Sequence, residues 1–356
     1  VKVTINDIAG QLGVDRSTVS LALNDRTAGK LSPGRVEQVR EMARKLGYRP
    51  NISARQLSRG RSHCIGVAMN YLEYYPYNNY FYTISEYCLN YGYSAVPLPL
   101  KHRDGRPQEE IEIIDNAAID GLIVLEHNQA SEVQFKSLQE QGYPVVYRVT
   151  SPHPGSVSGI HHVQVNMADA VCELVKKIIE RGWHRLLLIV ERSSERPNPY
   201  VNDYGLLPYE AQGIERAVKE TGIDFSLDEH IIYSDHRWAI SRYETVSRFL
   251  GTGHIGAGTC LLQCGADGSS GTYAALANAG LEIGVDIAVA STNATPPWEY
   301  VLPLTTSCAE YHEQSSRWLV ENVIELVESK PRRQPQARIH TAPFKINMTD
   351  STRGRS

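Results

Sequence analysis

Residues 3–24 run VTINDIAGQLGVDRSTVSLALN. Thr4 precedes Ile5, Ile8, Ala9 and Leu12, whose spacing predicts a short helix with one buried face and a Thr4 cap. Gly13 permits a tight turn, and Val14 plugs the angle between two helices. Asp15 is placed to cap a second helix, from Arg16 to about Asn24, by accepting a bond from its first amides. Val19 and Leu23 face inward there, which leaves Arg16, Ser17, Ser20 and Leu21 on the outer face or its margin. The small side chain of Ala9 allows the close crossing that a helix-turn-helix requires. Ser32 and Pro33 open a third helix, with Val36, Val39, Met42, Ala43 and Leu46 inward and Gly47 as its stop.

The charge balance singles out the same region. Residues 1–62 hold 12 Lys/Arg and 5 Asp/Glu, a balance of +7, and the remainder hold 24 and 35, a balance of −11. A basic head on an acidic body suits a protein that offers only its head to a polyanion. With 356 residues, 42% hydrophobic and 21% charged, the chain is long enough for two or three globular units and too apolar for wholesale disorder. No apolar run reaches membrane-spanning length, and VKVTINDIAG lacks the apolar core of a secretory signal, so a cytoplasmic location is expected. Six scattered cysteines read as reduced structural thiols, with no metal-ligand spacing.

The string at 3–24, continued by LGYRPN at 46–51, resembles the head of the lac-repressor (LacI/GalR) family of bacterial transcriptional regulators, from Val3 to about Gly66. That resemblance implies that Arg16 and Ser17 begin a recognition helix in the major groove, with Arg16 able to fork onto a guanine. It implies phosphate contacts from Thr18, Ser20 and Asn24, and adds Thr4 and Tyr48 to the DNA-binding set. Leu21 stands where many members carry a base-reading Arg, and Asp15 replaces the usual Ser cap. Residues 51–62 match the family hinge, which folds only on DNA, pairs with its dimer mate and wedges a leucine into the minor groove. Asn51, Ala54, Arg55 and Leu57 are its implied DNA-facing residues, Leu57 being the wedge.

From Cys64 onward strands alternate with helices in two series, which predicts parallel sheets with helices on both faces and a ligand crevice at the strands' carboxyl ends. The motifs AIDGLIV (118–124), VQVN (163–166), RGWHR (181–185) and LPLTT (302–306) make this body similar to the periplasmic-binding-protein fold of the same family. The expected units are head 1–50, hinge 51–62, a first lobe of 63–162 plus 293–325, a second of 163–292 plus 326–347, and a tail of 348–356. The resemblance puts the family's effector-holding Arg at Glu210, its Asn-Asp pair at Gly265-Ala266 with Asp267 displaced by one, and a crevice Asp at Asn293. With the tyrosine-rich stretch at 74–81, the candidate effector set is Tyr77, Glu126, Asn128, Glu210, Asp267, Asn293 and Trp298.

Two rivals were set against a DNA-binding homodimer that senses a carbohydrate-related effector. A metal enzyme finds little support, because adjacent His161 and His162 on a strand would point to opposite faces and no carboxylate joins them. The run CGADGSSG (264–271) lacks the Lys-Ser/Thr of a phosphate loop and reads as the start of a helix. A solute-binding protein for transport would explain the body and leave the basic head unexplained. No cofactor or metal is expected.

Overall fold

The computed structural model describes residues 3–23, 28–48, 61–69, 75–99, 118–125, 129–150, 159–192, 201–235, 239–265, 269–293, 302–329 and 337–354. The chain forms two units, Val1–Ser62 and His63–Ser356.

In the first unit, helices α1 (Ile5–Leu12), α2 (Arg16–Ala22) and α3 (Pro33–Lys45) enclose a small core of Ile8, Ala9, Val19, Ala22, Val39 and Ala43. Thr4 caps α1 reciprocally: its hydroxyl accepts the Asp7 amide while the Asp7 carboxylate accepts the Thr4 amide at 2.7 Å. Gly13, at φ 62°, ends α1 in the left-handed conformation, which admits glycine at little cost. Two expected caps are absent: neither Asp15 nor Ser32 bonds an amide of its helix through the side chain. Asp15 keeps its carboxylate in solvent, and α2 is held instead by Val19 and Ala22 in the core.

The second unit contains two six-stranded sheets. Its first half runs β1 (Cys64–Met69), α4 (Tyr75–Asn90), β2 (Ser94–Pro99), β3 (Gly121–Val124), α5 (Gln129–Glu140), β4 (Val145–Thr150) and β5 (His162–Val165). Next come α6 (Met167–Glu180), β6 (Arg185–Glu191), α7 (Pro208–Thr221), β7 (Ile231–Ser234), α8 (Ala239–Gly251), β8 (Thr259–Gln263), α9 (Ser269–Asn278) and β9 (Ala288–Ser291). The chain closes with β10 (Thr306–Glu310), α10 (His312–Glu328), β11 (Ile339–Ala342) and β12 (Phe344–Asn347). Residues 111–117, whose sequence also reads as helical, lie outside the described residues.

The first sheet has the order β11-β5-β4-β3-β1-β2 and is parallel throughout. The second has the order β12-β10-β9-β8-β6-β7 and is parallel except for β12, which runs antiparallel to β10. Pro343 alone separates β11 from β12, which leaves no crossover helix to restore a parallel direction.

The chain passes between the sheets at Asn166, at Tyr311 and at Pro343. These points differ from the expected lobe boundaries. Residues 162–165 complete the first sheet, where β5 pairs with β4, although their sequence reads as the start of the second series. Residues 306–310 stay in the second sheet beside β9. Residues 339–342 remain in the first, beside β5. Strand pairing decides membership here, and hydrophobic pattern alone does not encode which neighbour a strand takes.

The end of the described chain is built into the second lobe. Ser351 Oγ accepts the Thr306 amide and donates to Val289 O, both at 2.7 Å, and an Arg181 Nη reaches Thr349 O at 2.8 Å and Thr352 O at 3.0 Å. Gly284 leaves room for this turn, since a Cβ there would sit 1.9 Å from Asp350 O.

Candidate nucleic-acid interface and effector crevice

On the head, Arg16, Ser17 and Ser20 are exposed along α2, while Thr18 and Leu21 are half-buried at its margin. Three helices fixed to one core thus present a short outward row that begins with the exposed Arg16 side chain. Thr4 is spent on its cap, which restricts it to contacts through its remaining lone pair. Tyr48 follows α3, is half-buried, and packs against the same core. Sequence reasoning passed over Arg35, in the first turn of α3, which lines a shallow cleft with Gly10, Gly13, Asp15 and Thr18. Asn24, Asn51, Ala54, Arg55 and Leu57 lie outside the described residues.

In the body, three effector candidates are described, and Glu126, Asn128, Asp267 and Trp298 lie outside. Glu210 and Asn293 come together at the carboxyl ends of β8 and β9, around Gly265. Glu210 Oε1 accepts the Gly265 amide at 2.8 Å and the Thr292 hydroxyl, and Oε2 accepts the Leu207 amide at 3.0 Å. Asn293 Nδ2 donates to Gly265 O at 3.0 Å. Glu210 has no exposed surface. Burial pushes its carboxyl upward; the bonds from Thr292, Gly265 and Leu207 and the Arg242 charge act against this. The position therefore departs from the expectation of a crevice-wall contact: both oxygens are engaged inside the second lobe. An effector could reach this carboxylate only by displacing its donors. Tyr77, on α4, is 8% exposed and packs in the core of the first lobe.

The two histidines are hydrogen-bonded and buried. His161 Nδ1 accepts the Arg338 amide at 3.3 Å, and His162 Nδ1 lies 2.9 Å from Ile160 O. Among the described residues no group of His, Cys, Asp and Glu is arranged to hold a metal ion. The glycine-rich run at 264–271 leads into α9, which begins at Ser269. All six cysteines are free thiols and five are buried; burial pushes the Cys88 thiol up to about 12, far from reactive. No helix among the described residues is long and apolar enough to cross a membrane.

A contact that the sequence did not announce joins the two lobes. Arg148, on β4, bonds Glu310, the last residue of β10, through Nε at 2.9 Å and through a second, shorter bond from Nη2. No short-range pattern links residues 162 positions apart.

Comparison with known proteins gives the head a family match and the body a known fold. Residues 4–51 match the family model described as "Bacterial regulatory proteins, lacI family". Catabolite control protein A of Priestia megaterium is 25% identical over 253 residues, 70% of each chain. The sucrose operon repressor of Klebsiella pneumoniae is 32% identical over 181 residues, 50% of this chain and 52% of the relative, so the match spans about half of that protein. Among solved structures the chain is similar to a lac repressor dimer bound to operator and the anti-inducer ONPF, with TM-score 0.72, 18% identity and 99% coverage of both chains. It is also similar to a CelR–cellobiose complex, with TM-score 0.63, 17% identity and coverage of 98% and 100%. At such identities these likenesses establish the fold. The capped helix-turn-helix matches the lacI family of bacterial regulatory proteins over residues 4–51, and the two-sheet body crossed three times has the fold of the lac repressor.

Proposed function

We propose that this chain is a transcriptional repressor that binds a palindromic operator as a homodimer and changes its operator affinity when a carbohydrate or sugar-derived metabolite binds between the lobes. The observation that carries the reading is the head, whose exposed Arg16 and Ser17 start a helix seated on a rigid three-helix core within the residues that match the family model. In this reading Arg16 forks onto a guanine, Thr18 and Ser20 set the register on phosphates, and Leu21 meets an apolar base edge such as a thymine methyl. Leu57 enters the minor groove between paired hinges, and the lobe arrangement decides whether those hinges can pair.

The effector class is supported by two relatives whose names carry sugars, a sucrose operon repressor and a regulator solved with cellobiose, and by the tyrosines at 74–81. Tyr77, Glu126, Asn128, Asp267, Asn293 and Trp298 remain the candidate contacts, while Glu210 holds the Gly265 and Thr292 segments together from within the second lobe. The relatives named above are regulators rather than enzymes. A protein acting on chromosomal DNA would work in the bacterial cytoplasm, at the nucleoid.

The test is selection of bound duplexes from a random library by the full-length protein, with and without pools of sugars and sugar phosphates. Enrichment of a palindrome with a central pyrimidine–purine step is the expected result. No enriched motif under either condition would refute sequence reading by the head.

A further inference from the structure

Two charged side chains meet where the lobes join. Arg148 belongs to the first sheet and Glu310 to the second, and their side chains retain only 15% and 6% of their exposure. The guanidinium carbon lies 5.1 Å from the centre of the Tyr80 ring, close enough for the ring face to stabilise the cation. Tyr80 in turn meets His312 edge-on at 6.1 Å, and Asn79 Nδ2 donates to His312 Nε2 at 2.8 Å. Asn79 and Tyr80 sit on α4, and His312 begins α10. Glu310 and His312 flank Tyr311, one of the three points at which the chain passes between the lobes. A change of lobe angle pivots on those points and must move the Arg148 guanidinium relative to the Glu310 carboxylate.

The closed contact is not fully satisfied. Glu310 Oε1, Tyr80 Oη and Ser315 Oγ are buried with no hydrogen-bond partner among the described residues. Buried polar atoms in that condition are costly, whereas charge-assisted bonds between a guanidinium and a carboxylate are strong. Opening would hydrate those three atoms and forfeit the ion pair. An element with such opposed demands in its two arrangements is one that a ligand with modest preference can tip.

We propose that the Arg148–Glu310 pair is a charge latch across the lobe pivot, whose engagement fixes the lobe angle and thereby sets operator affinity in the effector-free protein. The link to operator affinity rests on the regulatory reading above; the latch itself does not. It differs from an effector contact because it acts with the crevice empty, and from a core ion pair because it spans two sheets that share no strand pairing.

The experiment compares full-length wild type with Arg148→Gln, Glu310→Gln and the double variant. Hydrogen exchange is followed in peptides spanning 163–168, 308–314 and 340–346, and binding is measured on a wild-type-selected duplex. Each single variant is expected to speed exchange at the three crossings while β1 and β8 keep wild-type rates. Each is also expected to shift operator affinity by about fivefold or more, the lower range of coupling between sites. The double variant should do no more than either single one, because both remove the same contact. Unchanged exchange at the crossings would overturn the latch, as would additive effects in the double variant. Faster exchange at the crossings with operator affinity within about twofold of wild type would overturn its regulatory role. Should a glutamine variant also loosen β1 and β8, Arg148→Lys, which keeps the charge, must hold the crossings near wild type or the latch fails. A wild type that selects no duplex refutes the regulatory reading, and the exchange data then judge the latch alone.

Discussion

The Glu210 carboxylate accepts the Gly265 amide at 2.8 Å and so ties the first turn of α7 to the segment leaving β8, 55 residues further along the chain. Glu210→Ala would strand that amide and the Leu207 amide around the fully buried carboxylate position, and leave the Thr292 hydroxyl only Gln263 O at 3.3 Å. The expected loss of unfolding free energy is about 3 kcal/mol, from the cost of unpaired buried donors. Urea denaturation measures it, and a loss below about 1 kcal/mol would show that water replaces the carboxylate.

Arg16 is exposed and makes no core contact, so Arg16→Ala should leave the fold unchanged. Binding to a panel of duplexes permuted at each operator position should show discrimination falling by about 1–3 kcal/mol at one base pair. Equal weakening on every duplex would reassign Arg16 to the phosphate backbone.

Leu57 provides the complementary test of the hinge. Leu57→Ala should weaken binding to the selected operator while leaving thermal unfolding of the body unaltered, because the wedge acts only on DNA. An operator affinity equal to wild type would eliminate the wedge.

His161 gives the protein a pH dependence of known sign. Burial pushes its imidazole below the ordinary histidine value, and the Arg338 charge adds to this. The unfolded chain then binds the proton more tightly than the folded one. The contribution to stability is complete above about pH 6.5 and is lost as pH falls below it. Protonation would also set an N–H against the Arg338 amide that Nδ1 now accepts. The drop in melting temperature between pH 7.5 and pH 5.5 should be smaller in His161→Gln than in wild type. It should not vanish, because burial lowers His312 as well. An equal drop in both proteins would exclude His161 as the source.

At Gly284, with φ 86°, an added Cβ would lie 1.9 Å from Asp350 O. Gly284→Ala should push the 349–354 turn off Ser351's two bonds and cost about 1–3 kcal/mol, as forced overpacking does. Limited proteolysis would then cut near Arg353, and resistance equal to wild type would mean that the backbone absorbs the methyl group.

Local signals carried much of the fold. Thr4 before Ile5, Gly13 after Leu12 and Pro33 at the start of α3 mark helix ends because each constrains or caps the backbone within a few residues. The apolar runs at 121–125 and 185–190 read as strands for the same reason, and the strands formed are 121–124 and 185–191. Residues 162–165 were not, since their place depends on pairing with β4 and β11, and 339–342 comes 177 residues after its neighbour. Glu210 shows the limit at the candidate site. A resemblance supplies the position, but only the structure supplies the three donors that turn the side chain inward. Arg148 and Glu310 carry no local mark of each other, because a long-range ion pair leaves no periodicity.

The Pro343 crossing has a consequence during synthesis. The last strand of each sheet, 339–342 and 344–347, comes from one short stretch near the end of the described chain. On the ribosome, both lobes must wait with an open edge, at β5 in one and β10 in the other. At ordinary elongation rates the two edges then become coverable within about a second of each other. Nascent chains would carry the β5 edge unpaired while residues 166–338 are made and the β10 edge while residues 311–343 are made, the first by far the longer exposure. A ribosome stalled before residue 339 would release neither lobe in finished form.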